Sequence, residues 1–312
     1  MDTALRPPVI TRPPPEHSAG LLATLRKNFF ADWKSTLATL LVAAMLVRWV
    51  PDFYGWAVTR SVTAPDNEAC RALDHAGACW GVIAEKYRLI LFGRYPYEEQ
   101  WRPLIATLLM VAMLVASCTR ALWSKWLVVA WLAVIWIFFV LMRGGVAGLS
   151  VVETARWGGI PLTMLLSTLS IAAGFPIAVL VALGRRSKLP AIRTLCIVYV
   201  ELIRGVPLIS VLFMASFMFP LFMPPGITVD VLVRVLVGIT LFSAAYLAEV
   251  VRGGLQAIPK GQHEAAAAMG LSYWQTQRKI ILPQALQLVV PSIMNSFIST
   301  FKDTSLVTIV SL

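Results

Sequence analysis

The chain has 312 residues, of which 58% are hydrophobic and only 14% are charged. Soluble globular chains are about 45–50% apolar and about 25% charged, so this composition excludes an ordinary pair of soluble domains and indicates an integral membrane protein. The net charge of +11 would also suit a nucleic-acid-binding protein. The Lys and Arg residues cluster at the ends of apolar runs, however, which is typical of membrane topology, so we expect a lipid bilayer and no nucleic acid as partner.

The first 34 residues predict a cytoplasmic N-terminal tail. Prolines at 7–8 and 13–15 disfavour packed structure. The stretch Leu21–Lys34 that follows is amphipathic, which suits a segment that lies on the membrane surface.

Seven apolar runs follow the tail, and each approaches or exceeds the roughly 20 residues that a helix needs to cross a bilayer. They predict an all-α, polytopic transmembrane helical bundle. The runs are Ser35–Val50, Pro103–Thr119, Trp126–Met142, Ile160–Leu183, Pro190–Met223, Val231–Val251 and Ala285–Phe301. Gly205 and Pro207 interrupt the fifth run, so we expect an interfacial piece followed by a span from about Gly205.

The distribution of Lys and Arg between the runs predicts a multi-pass chain with a cytoplasmic N-terminus. In that orientation the inside segments carry fifteen Lys and Arg residues and the outside segments carry nine. The two short outside loops carry only two and none, as the positive-inside rule predicts. The inverted arrangement is the alternative.

The long outside loop, residues 51–102, contains Cys70 and Cys79 with His75 between them. In an oxidising compartment such a pair is expected to form a local disulfide, and two unpaired thiols are the alternative. A zinc site built from these three residues would lack a fourth ligand. We therefore expect no metal site.

A connection of about thirty residues, 252–283, separates the sixth and seventh runs and predicts a short helical hairpin. An Ala-rich helix over Gln262–Met269 would end at the glycine that follows it. Ser272 and Gln275 match the capping box of a second helix. We expect Pro283 to end that second helix before the seventh span.

A fixed-spacing pattern lies within this connection, in the order Glu-Ala-Ala, Gly, Ile-x-Leu-Pro. Its members are Glu264, Ala265, Ala266, Gly270, Ile280, Leu282 and Pro283. The pattern resembles the cytoplasmic loop of the permease subunits of ATP-binding-cassette (ABC) importers. Seven positions in register between two spans are specific, whereas an isolated Glu-Ala-Ala triplet would not be. The resemblance implies that these residues couple the chain to an ATPase subunit, through a helix that docks in a groove of that subunit.

Four further segments look like those of the polar amino-acid permeases of the histidine/glutamine type. They are Val200–Ile209, Ala245–Gly254, Ile281–Leu286 and Phe301–Leu306. The additional N-terminal runs and the cysteine-containing loop look more particularly like the general L-amino-acid permeases of Gram-negative bacteria. The resemblance implies a protein of the bacterial inner (cytoplasmic) membrane.

The same resemblance implies the permease fold of type I ABC importers with extra N-terminal helices. Residues 35–159 would form a three-helix extension, and residues 160–312 would form the permease core. That core has five spans in the family, and four are visible here. We therefore expect the core to be incomplete at the C-terminus of this chain.

The implied function is the transmembrane permease subunit of an importer that moves amino acids, over a broad range of L-amino acids, by alternating access. The implied partners are two ATPase subunits, a second and paralogous permease, and a periplasmic amino-acid-binding protein. A phosphate-binding P-loop needs a Gly-Lys dipeptide, which the sequence lacks. We therefore expect no enzyme activity and no cofactor in this chain, with ATP and Mg²⁺ on the partner ATPase.

Two other functions stay open at this point. One is an ABC permease for another small polar solute, which the same coupling loop would serve. The other is an ion-coupled secondary transporter, whose signs would be acidic residues at mid-membrane and internal repeats.

Two charged pairs lie near the predicted cytoplasmic ends of their helices. Glu201 with Arg204, and Glu249 with Arg252, are i,i+3 neighbours that can pair along one helix face. Charges at membrane depth are costly and usually face protein or water. The pairs are either local salt bridges that orient helices or parts of a cytoplasmic gate.

The seventh run carries Asn295 and Ser299 and ends at Lys302 and Asp303. All four are candidates for the lining of a translocation path. An interfacial stop signal is the alternative for the two charged residues. For the polar side chains the alternative is hydrogen bonding to backbone groups that Pro291 frees.

Overall fold

The computed structural model describes residues 20–65, 67–71, 77–146 and 148–310. Three parts of the chain that the sequence predictions mention lie outside the described residues. They are the proline-rich tail, His75 and the last two residues.

Within the described ranges the chain is helical apart from its connections and one isolated β-bridge, between Val62 and Cys79. It divides into two compact units, Met1–Lys86 and Tyr87–Leu312. The helices are α1 (Leu21–Phe29), α2 (Trp33–Tyr54), α3 (Asn67–Arg71), α4 (Gly81–Phe92), α5 (Trp101–Cys118), α6 (Lys125–Arg143), α7 (Gly159–Gly184), α8 (Pro190–Gly205), α9 (Leu208–Phe213), α10 (Val231–Ala257), α11 (Lys260–Ala268), α12 (Tyr273–Thr276) and α13 (Leu282–Asp303).

Six helical stretches of the described chain are long and apolar enough to cross a membrane. They are Trp33–Thr59, Tyr97–Cys118, Lys125–Arg143, Gly159–Gly184, Val231–Ala257 and Tyr273–Ile309. A further pair, Pro190–Gly205 and Leu208–Phe222, is bent by 105° at its break and makes a seventh crossing if the pair is one span. Every predicted apolar run is therefore helical, which confirms the all-α fold.

The fifth run divides where the sequence predicts that it should. Helix α8 ends at Gly205, Val206 is extended with φ −112° and ψ 134°, and α9 begins directly after Pro207. A residue that precedes proline is driven away from the helical conformation, and proline has no N–H to donate. These two effects end one helix and let the next begin in a different direction.

Pro283 does not end a helix, and the prediction that it would is wrong. Helix α12 continues through a π-helical turn, Gln277–Ile281, directly into α13, and Pro283 lies in the first turn of α13. A π turn moves the backbone hydrogen bonds to residues five apart, and a proline in the first turn of a helix needs no N–H partner. The second arm of the hairpin is therefore continuous with the last span.

Helices α7, α10 and α13 form the packed centre of the unit Tyr87–Leu312. Small residues bring them close together. A Cβ built on Gly174 of α7 would lie 3.3 Å from the Thr240 carbonyl oxygen of α10, and one built on Gly254 of α10 would lie 2.6 Å from the Ala285 carbonyl oxygen of α13. Backbone-to-backbone approach of this kind is typical of helix packing in membranes.

Helices α5 and α6 belong to this same unit, although the sequence assigned them to an N-terminal extension that ends at residue 159. Phe138 of α6 and Trp157 are fully buried in one cluster with Leu162 and Leu165 of α7. The two aromatic rings meet edge to face with centroids 6.5 Å apart. Apolar packing thus joins α6 to α7.

A buried arginine holds the start of α5 against the end of α6. Arg102 is 1% exposed. Its Nε donates to the Leu141 carbonyl at 2.7 Å, and its Nη1 donates to Glu99 at 2.5 Å and to the Ser150 carbonyl at 3.1 Å. An enclosed guanidinium is tolerated only when it is paired in this way.

Replacing Gly254 by alanine is expected to destabilise the protein, because the new Cβ would meet the Ala285 carbonyl oxygen and overpacking costs about 1–3 kcal/mol. Gly253→Ala is the matched control, since no described atom lies within 4 Å of a Cβ at that position. Alanine there is expected to be neutral or stabilising by up to about 1 kcal/mol. Thermal unfolding of the full chain in detergent, followed by tryptophan fluorescence, measures both variants, and equal stability would contradict the close approach.

Candidate functional site

Charged side chains converge where α7 ends. Arg185, in the turn after α7, donates to Glu249 of α10 at 2.7 Å and to Glu201 of α8 at 2.9 Å. Glu249 also accepts from Arg252 one turn further along α10, with 2.9 Å between Arg252 Nε and the carboxylate. One guanidinium therefore ties three helix ends together.

The prediction for these pairs is confirmed on α10 and wrong on α8. Glu201 pairs with Arg185 instead of Arg204, and the Arg204 guanidinium lies 5.5 Å from the centroid of the Tyr246 ring on α10. The i,i+3 spacing identifies possible salt-bridge partners on the same helix. It gives no information about a charged residue of another helix that competes for the same carboxylate. Arg185 lies beyond the end of another helix, so no spacing in the sequence pairs it with Glu201 or Glu249.

The two ion pairs of Arg185 differ in solvent exposure. The Arg185 side chain is 11% exposed and that of Glu249 is 26% exposed, whereas Glu201 is 60% exposed. Exposed ion pairs contribute little because solvent screens them. The link between α7 and α10 is therefore the stronger of the two.

The connection after α10 forms a hairpin whose turn depends on one glycine. Helix α11 is followed by Gly270 with φ +71°. The Leu271 N–H donates to the Ala266 carbonyl at 3.1 Å, and the Gly270 N–H donates to the Ala267 carbonyl at 3.0 Å. These two bonds form a Schellman motif, which needs a residue in the left-handed conformation.

The second arm begins with the predicted capping box. Both halves of the box between Ser272 and Gln275 are present, and the Ser272 N–H donates to Gln275 Oε1 at 3.0 Å. Across the hairpin, the Gln284 amide of α13 donates to Gln262 Oε1 of α11 at 3.2 Å. The two arms are therefore joined by side chains as well as by the turn.

The hairpin has an anchored side and an exposed side. Ile281 is fully buried in a cluster with Ala182 of α7 and Leu255 of α10. Elsewhere on the hairpin Met269 is 80% exposed and Trp274 is 64% exposed. Exposed large apolar side chains on a cytoplasmic or periplasmic segment are available for contact with a partner protein.

The seven predicted coupling residues divide between these two sides. Ala266 is buried, and Ile280 and Leu282 pack on the anchoring cluster. The exposed members of the motif are Glu264, Ala265, Gly270 and Pro283.

A groove of about 410 Å³ lies between α10 and α13. On the α13 side its lining is polar: Asn295, Ser296, Ser299, Thr300 and Asp303. On the α10 side it contains Ser243, whose hydroxyl lies 3.2 Å from that of Thr300, between two aromatic residues. Three of the four predicted path residues thus share one groove.

Lys302 does not line this groove, and its side chain is exposed. Successive residues of an α-helix point about 100° apart, so Asp303 can face the groove while its neighbour faces away. Lys302 is therefore separate from the groove that the other three candidates share, and its place on a translocation path stays a prediction.

The hydroxyl groups of Ser296 and Thr300 do not replace the backbone bond that Pro291 removes. They donate to the carbonyls of Ser292 and Ser296, both at 3.0 Å. These carbonyls follow the proline, whereas the carbonyl that a helical proline leaves unpaired lies one turn before it. Asn295 and Ser299, the two predicted path residues beside them, are exposed at the groove.

In the first compact unit, Cys70 and Cys79 form the predicted disulfide, with their Cα atoms 6.0 Å apart. Backbone bonds support the loop beside it, since the Val62 N–H donates to the Ala78 carbonyl at 3.0 Å. The disulfide excludes the alternatives of two free thiols and of a zinc site, which requires thiolate sulfur.

The charged cluster, the hairpin and the groove all lie within residues 174–311. That range matches the family of binding-protein-dependent transport system inner membrane components. The helices long enough to cross a membrane and the anchored hairpin are those of an inner-membrane transport subunit.

Two relatives cover nearly the whole chain. It is 43% identical over 303 residues to the inner membrane amino-acid ABC transporter permease protein YhdY of Escherichia coli (strain K12), an alignment that covers 96% of this chain and 82% of YhdY. It is 33% identical over 365 residues to the glutamate/glutamine/aspartate/asparagine transport system permease protein BztC of Rhodobacter capsulatus, covering 96% of this chain and 84% of BztC.

A crystal structure of an amino acid ABC transporter with histidines aligns with 48% of this chain and 69% of its own, at 29% identity and a TM-score of 0.43. From its full-length relatives, the chain belongs to the amino-acid ABC transporter permease family and is a multi-pass inner membrane protein.

Cys70 and Cys79 are expected to resist maleimide until the protein is reduced, because their sulfur atoms are bonded to each other. The sequence has 4 cysteines, so mass spectrometry of the denatured full chain should find two adducts before reduction and four after it. The double variant Cys118→Ser, Cys196→Ser is the control and should go from none to two. Four adducts on the unreduced protein would contradict the disulfide.

Proposed function

We propose that this chain is the permease subunit of an ATP-driven importer that moves amino acids across the inner membrane by alternating access. The observation that carries the proposal is the hairpin between α10 and α13. Ile281 anchors it to the ends of α7 and α10, and its free side presents Glu264 and Ala265 beside the exposed Met269 and Trp274. A rigid projection of this kind transmits the movement of a docked partner to the spans that hold it.

The partner of the hairpin is an ATPase subunit, two per transporter, and ATP and Mg²⁺ bind to those subunits. The lack of a Gly-Lys dipeptide in the sequence supports this division of labour, since a P-loop requires one. The family description, binding-protein-dependent transport, supports a periplasmic amino-acid-binding protein as a further partner. A second, paralogous permease completes the pair of membrane subunits.

The proposed substrates are a broad range of L-amino acids. One relative carries the name of an amino-acid permease, and another that of a permease for glutamate, glutamine, aspartate and asparagine. Another small polar solute is the alternative, and the same hairpin would serve it.

The proposed orientation places the N-terminus in the cytoplasm. The disulfide between Cys70 and Cys79 supports it, because such bonds persist in oxidising compartments such as the periplasm. In intact cells an impermeant maleimide is expected to label Thr63→Cys and to leave Lys188→Cys unlabelled, both sites being exposed. The reverse pattern would establish the inverted arrangement.

Reconstituted uptake tests the function. Vesicles that contain this chain, its co-expressed permease partner and the ATPase subunits should accumulate labelled L-amino acids when the binding protein and ATP are supplied. An ATPase variant that binds but does not hydrolyse ATP should abolish uptake, because this chain has no energy source of its own. Undiminished uptake with that variant would support an ion-coupled transporter, and uptake of other polar solutes alone would support the alternative substrate.

Gly270 provides the sharpest variant for the same assay. Gly270→Val is expected to reduce uptake at least tenfold, because a β-branched residue at φ +71° is strained by about 1–3 kcal/mol. Gly270→Asn is the matched control, since asparagine tolerates this conformation. No described atom lies within 4 Å of a Cβ there, so the two variants differ in backbone strain rather than in crowding. Equal uptake by both would count against a rigid coupling turn.

The groove between α10 and α13 forms part of the proposed translocation path. Its polar lining on α13, which includes the exposed Asn295 and Ser299, supports this. In the uptake assay Asp303→Asn is expected to lower the rate severalfold while Lys302→Gln leaves it unchanged, because only the aspartate faces the groove. Equal effects of the two substitutions would contradict this path.

The cluster around Arg185 forms the proposed cytoplasmic gate. Neutralising Glu249 or Arg252 to glutamine should raise ATP hydrolysis without substrate severalfold, because the link between α7 and α10 would no longer resist reorientation. Arg185→Gln should act in the same direction, and Lys188→Gln, an exposed residue of the same turn, is the control. Lowered thermal stability with unchanged hydrolysis would instead support salt bridges that only orient the helices.

A further inference from the structure

A cavity of about 290 Å³ lies between the end of α7 and the two arms of the hairpin. It shares no residue with the groove between α10 and α13. Its polar side chains come from three places: Arg186 from the turn after α7, His263 from α11, and Tyr273, Thr276 and Gln277 from the second arm.

Two of these side chains have buried atoms whose hydrogen-bonding capacity is unused. Gln277 is 6% exposed, and its Oε1 has no hydrogen-bond partner among the described residues. The same holds for Nε2 of His263. Buried polar groups are nearly always paired, so two unpaired groups on the wall of one cavity indicate a ligand that pairs with them.

The charge of the lining favours an anion. Arg186 is held at the cavity because its Nη1 donates to the Leu255 carbonyl at 2.7 Å, and a guanidinium retains further N–H donors beyond that bond. The imidazole of His263 can donate from Nε2, whereas the unpaired Oε1 of Gln277 accepts and therefore calls for an anion that also carries an O–H donor. As far as the structure describes this lining, it contains no carboxylate. A planar guanidinium with adjacent N–H donors is the usual recognition unit for phosphate and carboxylate groups.

We propose that this cavity binds an anion that carries a hydroxyl donor, such as hydrogen phosphate, whose oxygens accept from Arg186 and His263 and whose hydroxyl donates to Gln277 Oε1. The bound group links Arg186 at the end of α7 to His263 on α11 and to Gln277 on the second arm. Such a link stiffens the hairpin against the span that holds it, so occupancy regulates how strongly the ATPase drives the spans. The regulatory consequence and the cytoplasmic position rest on the proposed function, whereas the binding itself does not.

Phosphate binding to the full chain in nanodiscs of phosphatidylcholine tests the proposal. Sodium phosphate should raise the Tm progressively once its concentration exceeds Kd, by roughly 3–6 °C at about a hundred times Kd, and sodium chloride at equal ionic strength should not. Hydrogen exchange of the Lys260–Ala268 backbone should slow over the same concentration range. A second set of nanodiscs containing phosphatidylglycerol identifies the source, because a lipid headgroup in the cavity would stabilise the protein there and remove the response to added phosphate.

Variants locate the binding. Gln277→Met should lose the phosphate response while its own Tm stays unchanged or rises, since the substitution removes an unpaired buried amide. Arg186→Gln should lose the response in both lipids. Lys188→Gln, in the same turn but outside the cavity, should keep it.

The result that overturns the proposal is the absence of a Tm response to both phosphate and the anionic lipid. An equal response in Gln277→Met and the unchanged protein would overturn it too, because phosphate would then bind elsewhere. These measurements use no ATPase, so a failure of uptake would reject the proposed function and leave the anion site standing. Intact uptake without anion binding would reject the site alone.

Discussion

Backbone hydrogen bonding away from water is the constraint on which the rest of this structure depends. In hydrocarbon each unpaired N–H or C=O group costs several kcal/mol, so apolar runs must be helical and every interruption needs a local remedy. At Pro207 the helix stops and the chain turns by 105°. At Pro283, which lacks an N–H, a π turn precedes the proline and the helix continues. Where α6 ends, the buried guanidinium of Arg102 supplies a donor to the Leu141 carbonyl.

The end of α7 is where the proposed gate, the hairpin and the anion cavity meet. Arg185 binds the carboxylates of Glu201 and Glu249, and its neighbour Arg186 donates to the Leu255 carbonyl and borders the cavity under the hairpin. Two consecutive residues of one short turn therefore contact both functional regions. Because Arg185 and Arg186 are joined by one peptide bond, a displacement of the hairpin that moves Arg186 also moves the charged cluster around Arg185.

Close helix packing makes this arrangement stiff. Glycine at 254 allows the backbones of α10 and α13 to approach near the base of the hairpin, and Ile281 is buried there against α7 and α10. The free side of the hairpin, in contrast, exposes Met269 and Trp274. A projection that is rigid at its base and apolar at its exposed side is suited to transmit force from a docked subunit, which a flexible loop would dissipate.

Hydropathy, prolines and short spacings were enough to predict the helices, the break at Pro207, the turn at Gly270 and the disulfide. Each of these depends on the chemistry of a few consecutive residues, and the family followed from a motif of fixed spacing. The prediction for Pro283 failed because a π turn can absorb a proline, and residue type does not reveal that turn. Only the tertiary structure decided that Glu201 pairs with an arginine of another helix and that Lys302 faces away from the groove. Both depend on which faces of separate helices meet, and spacing along one helix carries no information about its neighbours.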